Sequence, residues 1–193
     1  MPITGQGWEL LLVRETEQVN PADPAELRTV GRYQLFHDGL AQSGALLSGA
    51  FAEAKGPGDN STPGNGRRIE PGRYALQSWG GERYVTHGYS TAEDDPEVLP
   101  LPGFELRGCL PRTEILIHPG AGFLRSVGCI NPCGALPDAS ASIGYADSRR
   151  RVIALLDDLR AYLGAAFPTE NDLPVPRAFV IIDGEPGGVG SAS

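Results

Sequence analysis

The chain has 193 residues, enough for one sizeable core, and its 40% hydrophobic and 21% charged content is that of an ordinary globular domain. A net charge of −8 argues against a general affinity for nucleic-acid phosphates or anionic lipid, and no apolar run is long enough to span a bilayer. With 26 glycines and 17 prolines, loops and turns outnumber long helices.

The N-terminal segment MPITGQGWELLLVRETE lacks a basic n-region, and its apolar run Leu10–Val13 is too short for a signal peptide, so synthesis in the cytoplasm without a standard export signal is expected. WELLLVRE alternates and reads as a strand. Residues 18–30, with Pro21 and Pro24, read as a loop. Two short strands then meet at His37-Asp38-Gly39, where Asp-Gly is a hairpin signal and His37 reads as a solvated turn residue. KGPGDNSTPGNGRR, residues 55–68, reads as a mobile surface loop.

IEPGRYALQSW is a turn running into a strand with Tyr74 and Leu76 on one face. GERYVTHGYS, ELRGCL and TEILIHPG are further strands, the last with the density of a buried one. The helix is DSRRRVIALLDDLRAYLG: Val152, Leu155, Leu156, Leu159 and Leu163 form its apolar stripe, with Asp147 or Ser148 as the N-cap and Gly164 at its end. RAFVIIDG is a last buried strand, and residues 186–193 are a flexible tail. The fold class is mostly β (α+β): a single domain over residues 1–185, a β-sandwich or barrel with one packing helix and long loops.

Chemistry concentrates in ILIHPGAGFLRSVGCI. The chain has three histidines and three cysteines, and this stretch brings His118 to the end of a strand and Cys129 to the far side of a glycine-rich return. A cysteine nucleophile needs an imidazole to take its proton and N–H donors for the developing oxyanion. The N–H groups of Cys129 and the residues just before it fill the second role, and Gly128 lets a substrate carbonyl approach. Ser126 reads as a turn hydroxyl orienting the loop. Arg125 and Arg112 are candidate anchors for a substrate carboxylate. Cys109, His118, Cys129 and Cys133 also have the donor types of a tetrahedral zinc site, which requires all four to converge.

The pattern Ser126-x-Gly128-Cys129-Ile130-Asn131, preceded by His118, resembles the signature of the YkuD-like L,D-transpeptidases; Val127 stands where that signature has a second histidine. The resemblance implies Cys129 as the acyl-accepting nucleophile and His118 as its base. A backbone carbonyl, that of Pro119 or its neighbour, would orient His118, N–H groups around Val127–Cys129 would form the oxyanion site, and Asn131 would lie on the substrate side. No cofactor is implied. The chain also resembles a compact bacterial and phage family of unknown function, through WELLLVRE, Phe51-Ala52-Glu53, Ile69-Glu70-Pro71-Gly72-Arg73-Tyr74, Ile117-His118-Pro119-Gly120 and Gly128-Cys129-Ile130, in that order. This second resemblance implies a small relative of the L,D-transpeptidase β-fold found among phage lysis and secreted-effector genes, with Glu53 beside or facing substrate.

Together these imply a cysteine-dependent acyl transferase or hydrolase acting on peptidoglycan stem peptides. Delivery to the periplasm or cell wall would be by a type VI or other secretion machine, with a cognate immunity protein, or by phage lysis. The competing expectations are a non-catalytic cell-wall-binding or phage structural module keeping the fold, and a zinc-stabilised binding domain.

Overall fold

The computed structural model describes residues 1–91, 95–124 and 126–186; Arg125 and residues 187–193 of the expected tail lie outside them. β1 (Trp8–Asn20) and β2 (Asp23–His37) form a long antiparallel hairpin at the centre of the sheet. Residues 18–30 are therefore largely strand, not loop. Pro21 falls in the connection, and Pro24 in the irregular stretch between the Asn20–Asp23 and Val19–Leu27 pairs, where a missing N–H breaks no regular ladder. Asp38 and Gly39 both have positive φ, 45° and 86°, and turn the chain into β3 (Leu40–Ala41), the hairpin that Asp-Gly predicts.

β4 (Ser48–Ala54) pairs with β2. On the other side of β1, β11 (Pro174–Asp183) runs parallel to it, followed outward by β5 (Gly72–Ser78), β8 (Phe104–Arg107) and β9 (Leu116–Ile117). β10 (Asn131–Cys133) lies beyond β4, and β6 (Tyr84–Val85) with β7 (Leu101–Pro102) forms a separate parallel pair. The two ends of the large sheet meet at one parallel bridge, Ile117 to Ile130, with His118 N donating to Ile130 O at 3.1 Å and Ile130 N to Leu116 O at 2.8 Å. The sheet is thus a nearly closed barrel, within the mostly-β class that the sequence predicts.

Alternation fixes its inner face. Trp8, Leu10 and Leu12, Tyr33 and Leu35, Tyr74 and Leu76, and Val180 and Ile182 share one buried cluster. Each such large apolar side chain contributes about 1.5–3 kcal/mol by leaving water. α1 (Tyr145–Leu163) adds Val152, Leu155, Leu156 and Leu159 to the same cluster, with Leu163 at its partly buried edge, so the stripe is core packing. Its N-cap is Gly144, not Asp147 or Ser148: Asp147 sits in the first turn and pairs with Arg151 at 3.0 Å, while Ser148 is turned inward. Gly164 ends the helix at φ 52°. The helix is tied to the hairpin by Asp158, whose Oδ1 accepts from Trp8 Nε1 at 2.8 Å and lies 2.6 Å from His37 Nε2. His37 is therefore half-buried and paired, not a solvated turn residue.

The 55–68 segment has no regular structure, yet its base is tied. Arg68, 1% exposed, pairs with Glu17 at 2.9 Å and Glu185 at 2.6 Å and donates to the Thr29 hydroxyl. The segment closes on itself through Arg68 N to Lys55 O and Asp59 N to Arg68 O, both 3.0 Å. Its tip, Ser61–Gly64, stands out in solvent, as do Lys55 and Pro57 near its start.

Candidate active site

The seam that closes the barrel also builds the site. Ile117 and Ile130 are fully buried, so their sequence neighbours project from the opposite face. The parallel register sets Leu116 beside Cys129 and His118 beside Asn131. His118 and Cys129 therefore stand on adjacent strands two rungs apart, a diagonal that long side chains can span. Both line one cleft of about 730 Å³, together with Tyr84, Arg112, Glu114, Ser126 and Val127.

His118 is 3% exposed, and its ring is fixed on several sides. Nδ1 lies 2.9 Å from Pro119 O. A carbonyl only accepts, so Nδ1 carries the proton, and in the neutral ring the lone pair is at Nε2. The Pro119–Gly120 peptide is itself held, because Gly120 N donates to Ser148 Oγ at 2.8 Å and Ser148 Oγ donates to Pro132 O at 2.5 Å. Tyr84 stacks on the imidazole with ring centroids 4.1 Å apart. Asn131 is wholly buried, and its Nδ2 donates to His118 O at 3.0 Å. It stands behind the histidine and outside the cleft lining, so it braces His118 and does not border the cleft as expected.

Cys129 is presented by a turn that Ser126 closes. Ser126 Oγ donates to Cys129 O at 2.6 Å and accepts from Gly128 N at 3.1 Å. Gly128 has φ 151°, which favours glycine, and a Cβ there would lie 2.3 Å from Arg112 Nη2, so any side chain would displace that guanidinium. The Gly128 N–H is thus occupied, whereas the N–H groups of Val127 and Cys129 have no partner among the described residues.

The thiol rests away from the imidazole. Its Sγ accepts from Leu116 N and donates to Glu114 O, both at 3.4 Å, and makes no hydrogen bond to His118. Burial pushes its pKa above the ordinary thiol value. The Leu116 N–H, the Arg112 charge and Ser126 pull it back, and Glu114 adds to the rise.

Arg112, 4% exposed, borders the same cleft. It donates to the carbonyls of Asp59 (2.7 Å), Arg68 (3.2 Å) and Arg67 (2.8 Å) and has no carboxylate partner among the described residues. It is a fixed positive charge tying the 55–68 segment to the cysteine turn. Arg125 lies outside the described residues. Glu53 is not at the site: it is fully buried on β4, both oxygens gripped by Arg14 at 2.6 and 3.0 Å, and the reading of it as substrate-facing is corrected to one half of an internal ion pair.

Cys109 and Cys133 sit in two different apolar clusters, and burial pushes each thiol up to about 12. The four-residue zinc set does not converge: no group of three or more potential ligands occurs among the described residues. Tyr84, Glu114 and Ser148 were not foreseen as site residues. Ser148 carried a sequence signal, but it read as a helix cap; Tyr84 and Glu114 reach the site only through tertiary contacts.

The chain matches no protein-family model, no curated protein and no solved structure, so the chemistry of the site is argued from its geometry.

Proposed function

We propose that the protein is a cysteine-dependent acyl transferase or hydrolase of peptidoglycan stem peptides, built as a compact L,D-transpeptidase-like barrel. The observation that carries this reading is the pairing of an oriented histidine and a cysteine across one barrel seam, facing one cleft. His118 Nε2 takes the Cys129 proton after the thiol swings from Glu114 O. The thiolate attacks an amide carbonyl, and the oxyanion is met by the N–H groups of Cys129 and Val127. His118 returns the proton to the leaving amine, and a second amine or water resolves the thioester. The acidic chain then acts in the periplasm or cell wall after delivery by a secretion machine, as a type VI effector with an immunity partner, or by phage lysis.

The test is purified sacculi and tetrapeptide muropeptides incubated with wild type, Cys129→Ala and His118→Ala. Wild type changes the muropeptide profile and forms a Cys129 acyl adduct visible by mass spectrometry; both variants lose turnover. An unchanged profile with wild type sinks the assignment. The competing reading, a wall-binding or phage structural module, is favoured by the thiol resting on Glu114 O and by Val127, 70% exposed at the rim. It predicts sacculus binding that survives both substitutions.

A further inference from the structure

A second pocket lies on the far side of the wall formed by Arg112 and Thr113, which line both it and the cysteine cleft. It encloses about 260 Å³ and is bordered by Gln77, Glu105, Arg107 and Leu110. Leu76, Phe104 and Leu106 point into the core, so Gln77, Glu105 and Arg107, which alternate with them in β5 and β8, stand on the outer face.

Glu105 is the unusual member. It is only 9% exposed, and its Oε1 accepts from Glu114 N at 3.0 Å. Its Oε2 has no partner among the described residues, and Glu105 lines the pocket. A largely buried carboxylate with one oxygen unused and open to the pocket can take a cationic partner there. Burial accordingly pushes its pKa up, against the Glu114 N–H and the Arg107 charge. Gln77 and Thr113 line the same pocket, and both residue types carry a side-chain oxygen able to accept from a three-donor ammonium. The Arg112 guanidinium is committed to the loop carbonyls, and Arg107, exposed at the rim, selects against a doubly cationic ligand while suiting one that also carries a carboxylate.

We propose that this pocket is a second ligand subsite, taking a primary ammonium group onto Glu105 beside the cysteine cleft. Its use as the seat of the amine that accepts the acyl group rests on the function proposed above; binding itself does not. Glu114 joins the two sites: its N–H is held by Glu105, its carbonyl holds Cys129 Sγ, and its φ is 60°, a left-handed conformation rare for a non-glycine residue.

The experiment is calorimetric or NMR titration of the full chain with Nα-acetyl-lysine, and with Nα,Nε-diacetyl-lysine, which has no ammonium. Wild type and Cys129→Ala are expected to bind the first saturably and the second not at all. Glu105→Gln keeps an oxygen for the Glu114 N–H and is expected to weaken binding about tenfold, the loss of one charged hydrogen bond. Thr113→Val, which leaves Glu105 in place, weakens it less. Equal affinity in wild type and Glu105→Gln, or no saturation in wild type, overturns the subsite. Because Cys129→Ala binds without acyl chemistry, a failure of the proposed enzymatic activity leaves this result readable on its own.

Discussion

Ser148 and His118 are joined through a single peptide group. The Pro119 carbonyl accepts a hydrogen bond from His118 Nδ1 at 2.9 Å, and the Gly120 N–H of the same peptide donates to Ser148 Oγ at 2.8 Å. Ser148 in turn donates to Pro132 O, on the strand that follows Cys129. One hydroxyl on α1 therefore fixes both sides of the seam that carries His118 and Cys129, and the helix is part of the site's scaffold as well as of the core.

Ser148→Ala is expected to leave the buried Gly120 N–H and Pro132 O unpaired, at about 1–3 kcal/mol of stability. Turnover should fall about tenfold or more, and the pH profile should change because the imidazole tautomer is no longer fixed. Rates across pH, with the ¹⁵N shifts of His118, check it. A variant that loses stability but keeps the wild-type profile and tautomer confines Ser148 to a structural role.

Gly128→Ala puts a methyl group 2.3 Å from Arg112 Nη2 at a φ of 151°. The guanidinium must move, and its carbonyl bonds to Asp59, Arg67 and Arg68 are disturbed. The strain costs about 1–3 kcal/mol. With the Arg112 charge displaced, the Cys129 pKa rises further, so iodoacetamide should alkylate Cys129 more slowly at a given pH. Unchanged alkylation would show that Arg112 does not support the thiolate.

Glu53 and Arg14 form a two-bond pair with neither side chain exposed to solvent. Glu53→Ala leaves the buried guanidinium only Glu185 at 3.3 Å and backbone carbonyls, and is expected to cost up to about 3–5 kcal/mol in denaturant unfolding, whereas the double change Arg14→Met with Glu53→Leu recovers most of it. Alkylation of Cys129 should be unaffected in the double variant. A specific loss of turnover there, with stability restored, would return Glu53 to the substrate side.

Local signals carried much of this fold. The Asp38-Gly39 turn, the Tyr74–Leu76 face, the helix stripe and the apolar β11 were all legible because each is set by residues a few positions apart. The 18–30 segment was not, because its prolines are tolerated only by the way β1 and β2 pair. Glu53 misled for the same reason: its partner Arg14 lies 39 residues away, and nothing near Glu53 announces it. The proximity of His118 and Cys129 was read from a single loop, yet it depends on the Ile117–Ile130 bridge between the two ends of a sheet whose order no local pattern encodes.

Cys109 and Cys133 are 1% and 2% exposed, and burial raises both thiols from an ordinary 9.0 to about 12. The fold thus holds their protons more tightly than the unfolded chain does. Each thiol's stabilising contribution is full below pH about 9, shrinks as pH rises by up to about 1.4 kcal/mol per unit, and is gone above about 12. Tyr33 and Tyr74, also raised by burial, add a parallel loss that remains when the thiols are removed. The double variant Cys109→Ala with Cys133→Ala should therefore be somewhat less stable than wild type at neutral pH, through small cavities, and lose less stability from pH 9 upward. Denaturant unfolding at stepped alkaline pH measures the two slopes. If the curves stay parallel through this window, the buried thiols do not govern the alkaline limb.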